Sequence, residues 1–359
     1  MKIIAILPVR NEAWIIRHTL TILEQICDVI IVADGDSTDK TREICQLFNK
    51  VKLISAEVKG TKKFQKNRRE ILLDRARDYE GYNYILAIDA DELLTGMVLN
   101  PDWELMLDSM KPGDARHLRW YWIWKSPFHF REDQSVWSKR WMYCFFRDDR
   151  RESYSDGNWH ESRIPKAYIQ RSIEASTQGL LHYAQVGKNR LFSRQAHYRI
   201  MDYLHQGISV NSINSLYAIT RDERDIGLKC IPRNWISPWQ KLGLDFDYFP
   251  DPELNYFDIE ILQYFKQFGI ANFADLDIWD INWEYKRQLA LDQEVEGIPE
   301  TSIHDPRNLE QRLYHSYLHR HIKNPIWREP QRPLVDGLKR IGFKREHFER
   351  LGILKDSKV

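Results

Sequence analysis

Two pairs of aspartates, each split by a single residue, stand directly after runs that read as buried strands: Asp34 and Asp36 after DVIIVA, and Asp89 and Asp91 after YILAI. The pattern Asp-x-Asp carries little information alone, since it recurs at 245/247 and 275/277. Its position separates the cases. Two carboxylates at the end of an apolar strand suit a hard divalent cation, Mg2+ or Mn2+, which takes oxygen ligands and shares them with substrate phosphates. The plain alternative is an acidic strand-to-loop turn that holds nothing. A third polar cluster, Pro8-Val9-Arg10-Asn11-Glu12, follows the first apolar run, Ile3 to Leu7.

The elements that must position these residues alternate. Strand patterns at 3–7, 28–33, 51–54 and 84–88 are separated by helical spacing over 12–26, where Ile15, Ile16, Leu20, Leu23 and Ile26 share a face, by a short helix through Ile44 and Phe48 capped by Ser37 or Thr38, and by a helix over 64–77. Such alternation predicts an α/β fold with a mostly parallel sheet and right-handed crossovers, and such sheets bind ligands beyond the carboxyl ends of their strands. All three polar clusters fall on that edge. Further strands are expected at 115–125, 140–147 and 179–184. From about residue 188 the pattern is mainly helical, with no internal repeat.

Composition narrows the function classes. The chain has 359 residues, 43% hydrophobic and 29% charged, as expected of a globular protein with a real core. With 53 Lys and Arg against 52 Asp and Glu, it lacks the basic excess that a dedicated nucleic-acid binder needs. No apolar run approaches the roughly 18–20 residues that span a bilayer, so no transmembrane segment is expected. The opening MKIIAILPVRNE is too short an apolar stretch for a signal peptide, and Cys27, Cys45, Cys144 and Cys230 lie far apart; both features lead us to expect reduced thiols and a cytoplasmic protein.

Taken in order, PVRNE, DGDSTDKT, FQKNRREILLDRA and IDADE resemble the family 2 glycosyltransferases of the GT-A fold, well over residues 2–95 and less specifically to about 185. The resemblance implies a GT-A-type nucleotide-diphospho-sugar transferase domain over 1–187, its nucleotide-binding half at 1–95 and its acceptor-side half at 96–187, with a mainly helical C-terminal region over 188–359. It implies that Pro8, Arg10, Asn11 and Glu12 border the nucleotide pocket, that Asp34 meets the base with Asp36 close by, and that Arg68 reaches the nucleotide. Asp89 would lie near the ribose and the metal, Ala90 beside the donor, and Asp91 on a Mn2+ or Mg2+ ion bridging the diphosphate. Arg69 departs from the pattern, because relatives usually show Asn there.

An inverting transfer also needs a general base. In this family an acidic residue some 70–100 positions after the metal motif fills that role, which implies Glu161 with His160 in GNWHESRIP, and Asp156 as a weaker substitute. His182 in LLHYA could complete the metal's coordination from a strand folding back over the site, or be a satisfied core side chain. The implied partners are a nucleotide-sugar donor, UDP-linked by preference, and a glycan, lipid-linked or protein acceptor, a lipid-linked one allowing peripheral work at a membrane face.

Rival readings are a phosphatase of the haloacid-dehalogenase type, whose Asp-x-Asp follows the first strand, and a nucleotide-sugar-binding scaffold without catalysis. A nucleotidyltransferase would need a glycine-rich loop after strand one, and PVRNE has none. In RWYWIWK, alternation puts Trp120, Trp122 and Trp124 on one face, for a sugar ring, the core or a dimer interface. His315 and His319, four apart on a helix, read as a metal pair or a solvated face.

Overall fold

The computed structural model describes residues 1–55, 64–132, 138, 140–154, 162–205, 207–218 and 227–321. The four short apolar runs form β1 (Ile3–Val9), β2 (Val29–Asp34), β3 (Val51–Ser55) and β4 (Tyr84–Ala87). They pair in parallel in the order β3-β2-β1-β4. Every residue of β2 and β4 is buried, the pattern of strands covered on both faces. The crossovers are α1 (Ile16–Ile26), α2 (Thr41–Cys45) and α3 (Phe64–Arg77). Because the chain winds from β1 to β3 in one direction and places β4 on the other side of β1, the strand order reverses between β1 and β4, where such sheets bind ligands.

Two helices start later than expected. Asn11 takes a left-handed φ of +56°, and residues 12–15 form a turn in which the Glu12 carbonyl accepts the N–H groups of Ile15 and Ile16. The helix therefore begins at Ile16. Likewise Ser37 and Thr38 do not cap α2, which begins at Thr41; both are spent holding loops together, as described below.

Beyond β4 the sheet turns antiparallel. β8 (Arg140–Arg147) lies beside β4, followed by β6 (Ala115–Trp124), β7 (His129–Arg131) and β10 (Leu228–Cys230). β5 (Glu92–Leu94) and β9 (Ser172–Gln185) stand off this path: β9 runs antiparallel to β5 and parallel to β6. The expected strand at 179–184 is only the end of β9, which extends back to Ser172 along β6. α4 (Pro101–Ser109) and α5 (Lys166–Ile169) fill the connections. The fold class is the expected α/β arrangement, with a parallel sheet over the N-terminal strands.

The described residues divide into two units. One holds those of Met1–Gly187 and Asp225–Pro250, the other those of Lys188–Arg224 and Asp251–Val359. In the first unit, α8 (Arg233–Lys241) buries Trp239, whose indole N–H donates to the Leu94 carbonyl at 2.8 Å, just past the acidic loop. The second unit is helical: α6 (Lys188–His205), α7 (Val210–Tyr217), α9 (Tyr256–Phe268), α10 (Trp283–Asp292) and α11 (Leu309–His321). It has its own core of Ile200, Ile213, Phe265, Phe273, Trp279 and Trp283. A capping box between Asn255 and Asp258 starts α9, satisfying N–H groups that would otherwise be orphaned. Among the described residues, no helix is long and apolar enough to cross a membrane.

Candidate active site

The loops after β1 and β2 are stitched together by short polar side chains. The Asn11 side-chain oxygen accepts the Thr38 N–H at 2.7 Å, and the Asn11 N–H donates to Ser37 Oγ at 2.9 Å. The Glu12 N–H donates to Thr41 Oγ1 at 2.8 Å, and that of Ala13 to Asp39 at 3.0 Å. Asp34 is fully buried: one oxygen accepts from Ser37 Oγ at 2.5 Å and the other from Arg42 at 2.7 Å. Asp36 is exposed, with a φ of +64°. Asn and Asp tolerate that left-handed region better than other residues with side chains. Both loops thus turn on the residue types that cost least there.

The third loop, Asp89-Ala90-Asp91-Glu92, is held from several sides. Thr19 of α1 donates to the Ala90 carbonyl, and the Tyr183 N–H donates to that of Asp91 at 2.9 Å. Glu92, with no exposed surface, closes the turn: one carboxylate oxygen accepts the Asp89 N–H at 3.0 Å, the other the Trp120 indole N–H at 2.7 Å. Arg163 pairs with Glu92 and reaches Asp89 Oδ2 at 2.7 Å. Arg69 reaches the other oxygen of Asp89 at 3.1 Å. Both Asp89 oxygens are therefore taken by guanidinium groups. Burial works against the Arg163 charge, but Asp89 and Glu92 outweigh it and raise its pKa, so the buried cation persists.

Asp91, 7% exposed, faces elsewhere. β5 pairs with β9 in a register that sets Glu92 opposite His182, which puts His182 Nε2 3.4 Å from Asp91 Oδ2. The imidazole stacks on Trp120 with ring centroids 4.4 Å apart, so the indole that anchors Glu92 also fixes the plane of His182. Among the described residues, no group of three or more His, Cys, Asp and Glu side chains surrounds one point. One carboxylate and one imidazole still fit a cation that takes few protein ligands and fills its remaining positions with substrate phosphates and water.

The sequence model of glycosyl transferase family 2 matches residues 4–201, more than half of the chain. The chain belongs to this family. No curated protein matches the chain. Among solved structures it is similar to TarS of S. aureus, with 16% identity over 90% of this chain and 53% of that one, TM-score 0.37. It is also similar to glucosyl-3-phosphoglycerate synthase from Mycobacterium tuberculosis, solved with Mn2+, UDP and glucosyl-3-phosphoglycerate, with 18% identity over 34% of this chain and 44% of that one, TM-score 0.24. The family 2 chain spans about half the length of TarS.

Within this family member, the structure brings Asn11, Glu12, Asp34, Arg68, Asp89, Ala90, Asp91 and His182 to the first unit's carboxyl edge or the loops just behind it, with Pro8 and Arg10 ending or following β1. Arg68 is buried, its guanidinium against Gly35. His160, Glu161 and Asp156 lie outside the described residues. Sequence reading missed Arg163 and the role of Glu92. Glu92 opens β5, which is too short to show a strand period, and Arg163 carried no local signal either. Trp120, Trp122 and Trp124 share a face as expected and are buried in the core. His315 and His319 are neither a metal pair nor a solvated face: His315 is 1% exposed, and its ring nitrogens meet Arg307 and the Asp275 carbonyl, while His319 meets Asp277 at 2.8 Å.

Proposed function

We propose that this family 2 member is a metal-dependent, inverting glycosyltransferase that moves a sugar from a UDP-linked donor to an acceptor hydroxyl. The carrying observation is the loop Asp89–Glu92 at the strand-order reversal, with Asp89 neutralised by Arg69 and Arg163 and with Asp91 beside His182. Asp91 and His182 would hold Mn2+ or Mg2+, which when bound offsets the negative charge that grows on the departing diphosphate. Asn11, Asp34 and Asp36, with Arg10, Glu12 and Pro8, shape the nucleotide side of the pocket, and Arg68 backs the second loop. Glu161, with His160 beside it, accepts the proton of the acceptor hydroxyl as its oxygen bonds to the anomeric carbon. The bond from that carbon to the diphosphate breaks on the opposite face, with inversion. Residues 188–359 have an acceptor or interaction role, the acceptor is a glycan, lipid-linked or protein one, and the enzyme works in the cytoplasm, with a membrane face open to it for a lipid-linked acceptor.

Thermal unfolding with UDP, GDP, CDP and dTDP, each with and without Mn2+, tests this reading. A ligand at 100 times its Kd adds about 2.7 kcal/mol, very roughly 5–10 °C for a chain of this size. The expected result is a Mn2+-strengthened shift with UDP that Asp91→Ala removes. No shift with any nucleotide would overturn the reading, and binding without turnover of any UDP-sugar would leave a scaffold.

A further inference from the structure

We propose that Arg69 is a second anion-binding group of the donor site, placed to hold the diphosphate of a nucleoside-diphosphate donor directly, alongside the cation. This rests on the glycosyltransferase reading and goes beyond it, because that reading gives Arg69 no contact with the donor.

α3 delivers two consecutive arginines to two different loops. Arg68 lies on the loop after β2 and Arg69 on the loop after β4. Arg69 is 7% exposed and spends Nη2 on Asp89. Its Nη1 is buried and finds no hydrogen-bond partner among the described residues. A buried donor on a charged group is costly when left unmade, so such an atom calls for a partner. Nη1 shares a carbon with Nη2 and therefore lies beside Asp89, at the edge where the sheet's strand order reverses. A guanidinium presents its N–H groups in a plane, in the fork that suits two oxygens of one phosphate or of adjacent ones. Asp89 then serves as the anchor that aims the fork, and Arg163 keeps that carboxylate in place from its other oxygen. Because Arg163 remains, removing Arg69 does not strand Asp89 without a counter-charge.

The consequence is a share of donor binding that survives without metal. Calorimetric titration of UDP and of inorganic pyrophosphate into wild type, Arg69→Asn and Arg69→Lys, in EDTA and in Mn2+, measures it. Wild type is expected to bind UDP in EDTA, more weakly than in Mn2+. Arg69→Asn should lose about 10- to 100-fold in EDTA for UDP and pyrophosphate alike, while Arg69→Lys, which keeps the charge and loses the fork, falls between. Melting without ligand checks that the variants are folded; should Arg69→Asn fail to fold, the lysine variant carries the test. Equal UDP affinity of wild type and a folded variant in EDTA overturns the proposal. So does a loss confined to UDP with pyrophosphate unaffected, or wild-type binding that vanishes in EDTA. Failure of wild type to bind any of the four nucleoside diphosphates even with Mn2+ sinks the glycosyltransferase reading itself, and this inference with it.

Discussion

The Arg68 guanidinium occupies the space that any side chain at position 35 would need: a β-carbon on Gly35 would fall 1.6 Å from Arg68 Nη2. The close approach, and no left-handed φ, is what sets the residue here, and the flexible end of Arg68 is what a side chain would displace. Gly35→Ala should push Arg68 off the loop, lowering UDP affinity by at least tenfold together with the melting temperature. Gly35→Ala with Arg68→Ala should recover the melting temperature and leave UDP binding weak. Equal UDP affinity of Gly35→Ala and wild type would remove Arg68 from the donor site.

The two aspartates of the acidic loop should behave differently. Asp91→Asn should abolish Mn2+-dependent UDP binding and cost less stability than Asp89→Asn. Asp89→Asn takes the anion from between Arg69 and Arg163 and should cost stability. Breaking a buried pair costs about 3–5 kcal/mol; the Asp89 side chain is 36% exposed, so solvent screening reduces the figure to about 1–2 kcal/mol. Urea unfolding of both variants gives the comparison, and a larger loss for Asp91→Asn would contradict it.

His182→Ala should weaken Mn2+ affinity about 10- to 100-fold, the range for a group that orients or completes a metal site. His182→Ala also takes away the ring against which Trp120 stacks, so Trp120→Phe serves as the control. It keeps an aromatic surface but cannot donate to Glu92, and should disturb folding more than metal binding. Mn2+ titration followed by electron paramagnetic resonance distinguishes the two.

Acid should destabilise the protein in two steps. Burial lowers the pKa of His315 and of His18 below the ordinary value of 6.5, against the pull of Asp277 and of Asp245 respectively. The unfolded chain therefore binds more protons than the folded one once the pH drops below about 6.5, and stability falls with pH. That contribution is complete above 6.5 and is lost as pH falls through the lowered folded values. Glu284, hydrogen-bonded by Arg287 and by the Ile303 N–H, has its pKa lowered from 4.5 to about 2, so its contribution disappears between those values. Urea midpoints between pH 8 and 5 should fall in wild type and change less in His315→Gln; parallel curves would refute the assignment to His315.

Glu161→Gln should reduce kcat by about 10²- to 10⁴-fold, the usual contribution of a general base, with UDP affinity unchanged. Equal turnover by the variant would move the search to Asp156.

The parallel half of the fold was legible because its strands are continuous apolar runs and its loops carry the polar residues that a strand-order reversal exposes. Asp34, Asp89 and Asp91 could be read from their positions after those runs. What could not be read was how each carboxylate is spent. Asp34 is saturated by Ser37 and Arg42, and Asp89 by two arginines, one of them seventy-four positions away. Such pairings are set by register and crossover geometry, which leave no local pattern. β5 escaped notice because three residues are too few to show a period, and the start of β9 because Ile173 and Glu174 are both exposed, which breaks the alternation. His315 was misread because helical spacing tells which residues share a face and says nothing of what covers that face.

The pairing of β5 with β9 also fixes when the site can exist. A ribosome that has released the first hundred residues has delivered every strand of the parallel sheet together with both aspartate pairs. It has not delivered the imidazole beside Asp91, the arginine that grips Asp89 and Glu92, or the indole of Trp239 on the Leu94 carbonyl. The acidic loop of a nascent chain is therefore held only by Thr19, Arg69 and its own Glu92, and a message cut short before codon 163 yields a sheet with the recognisable motif but without the partners translated later.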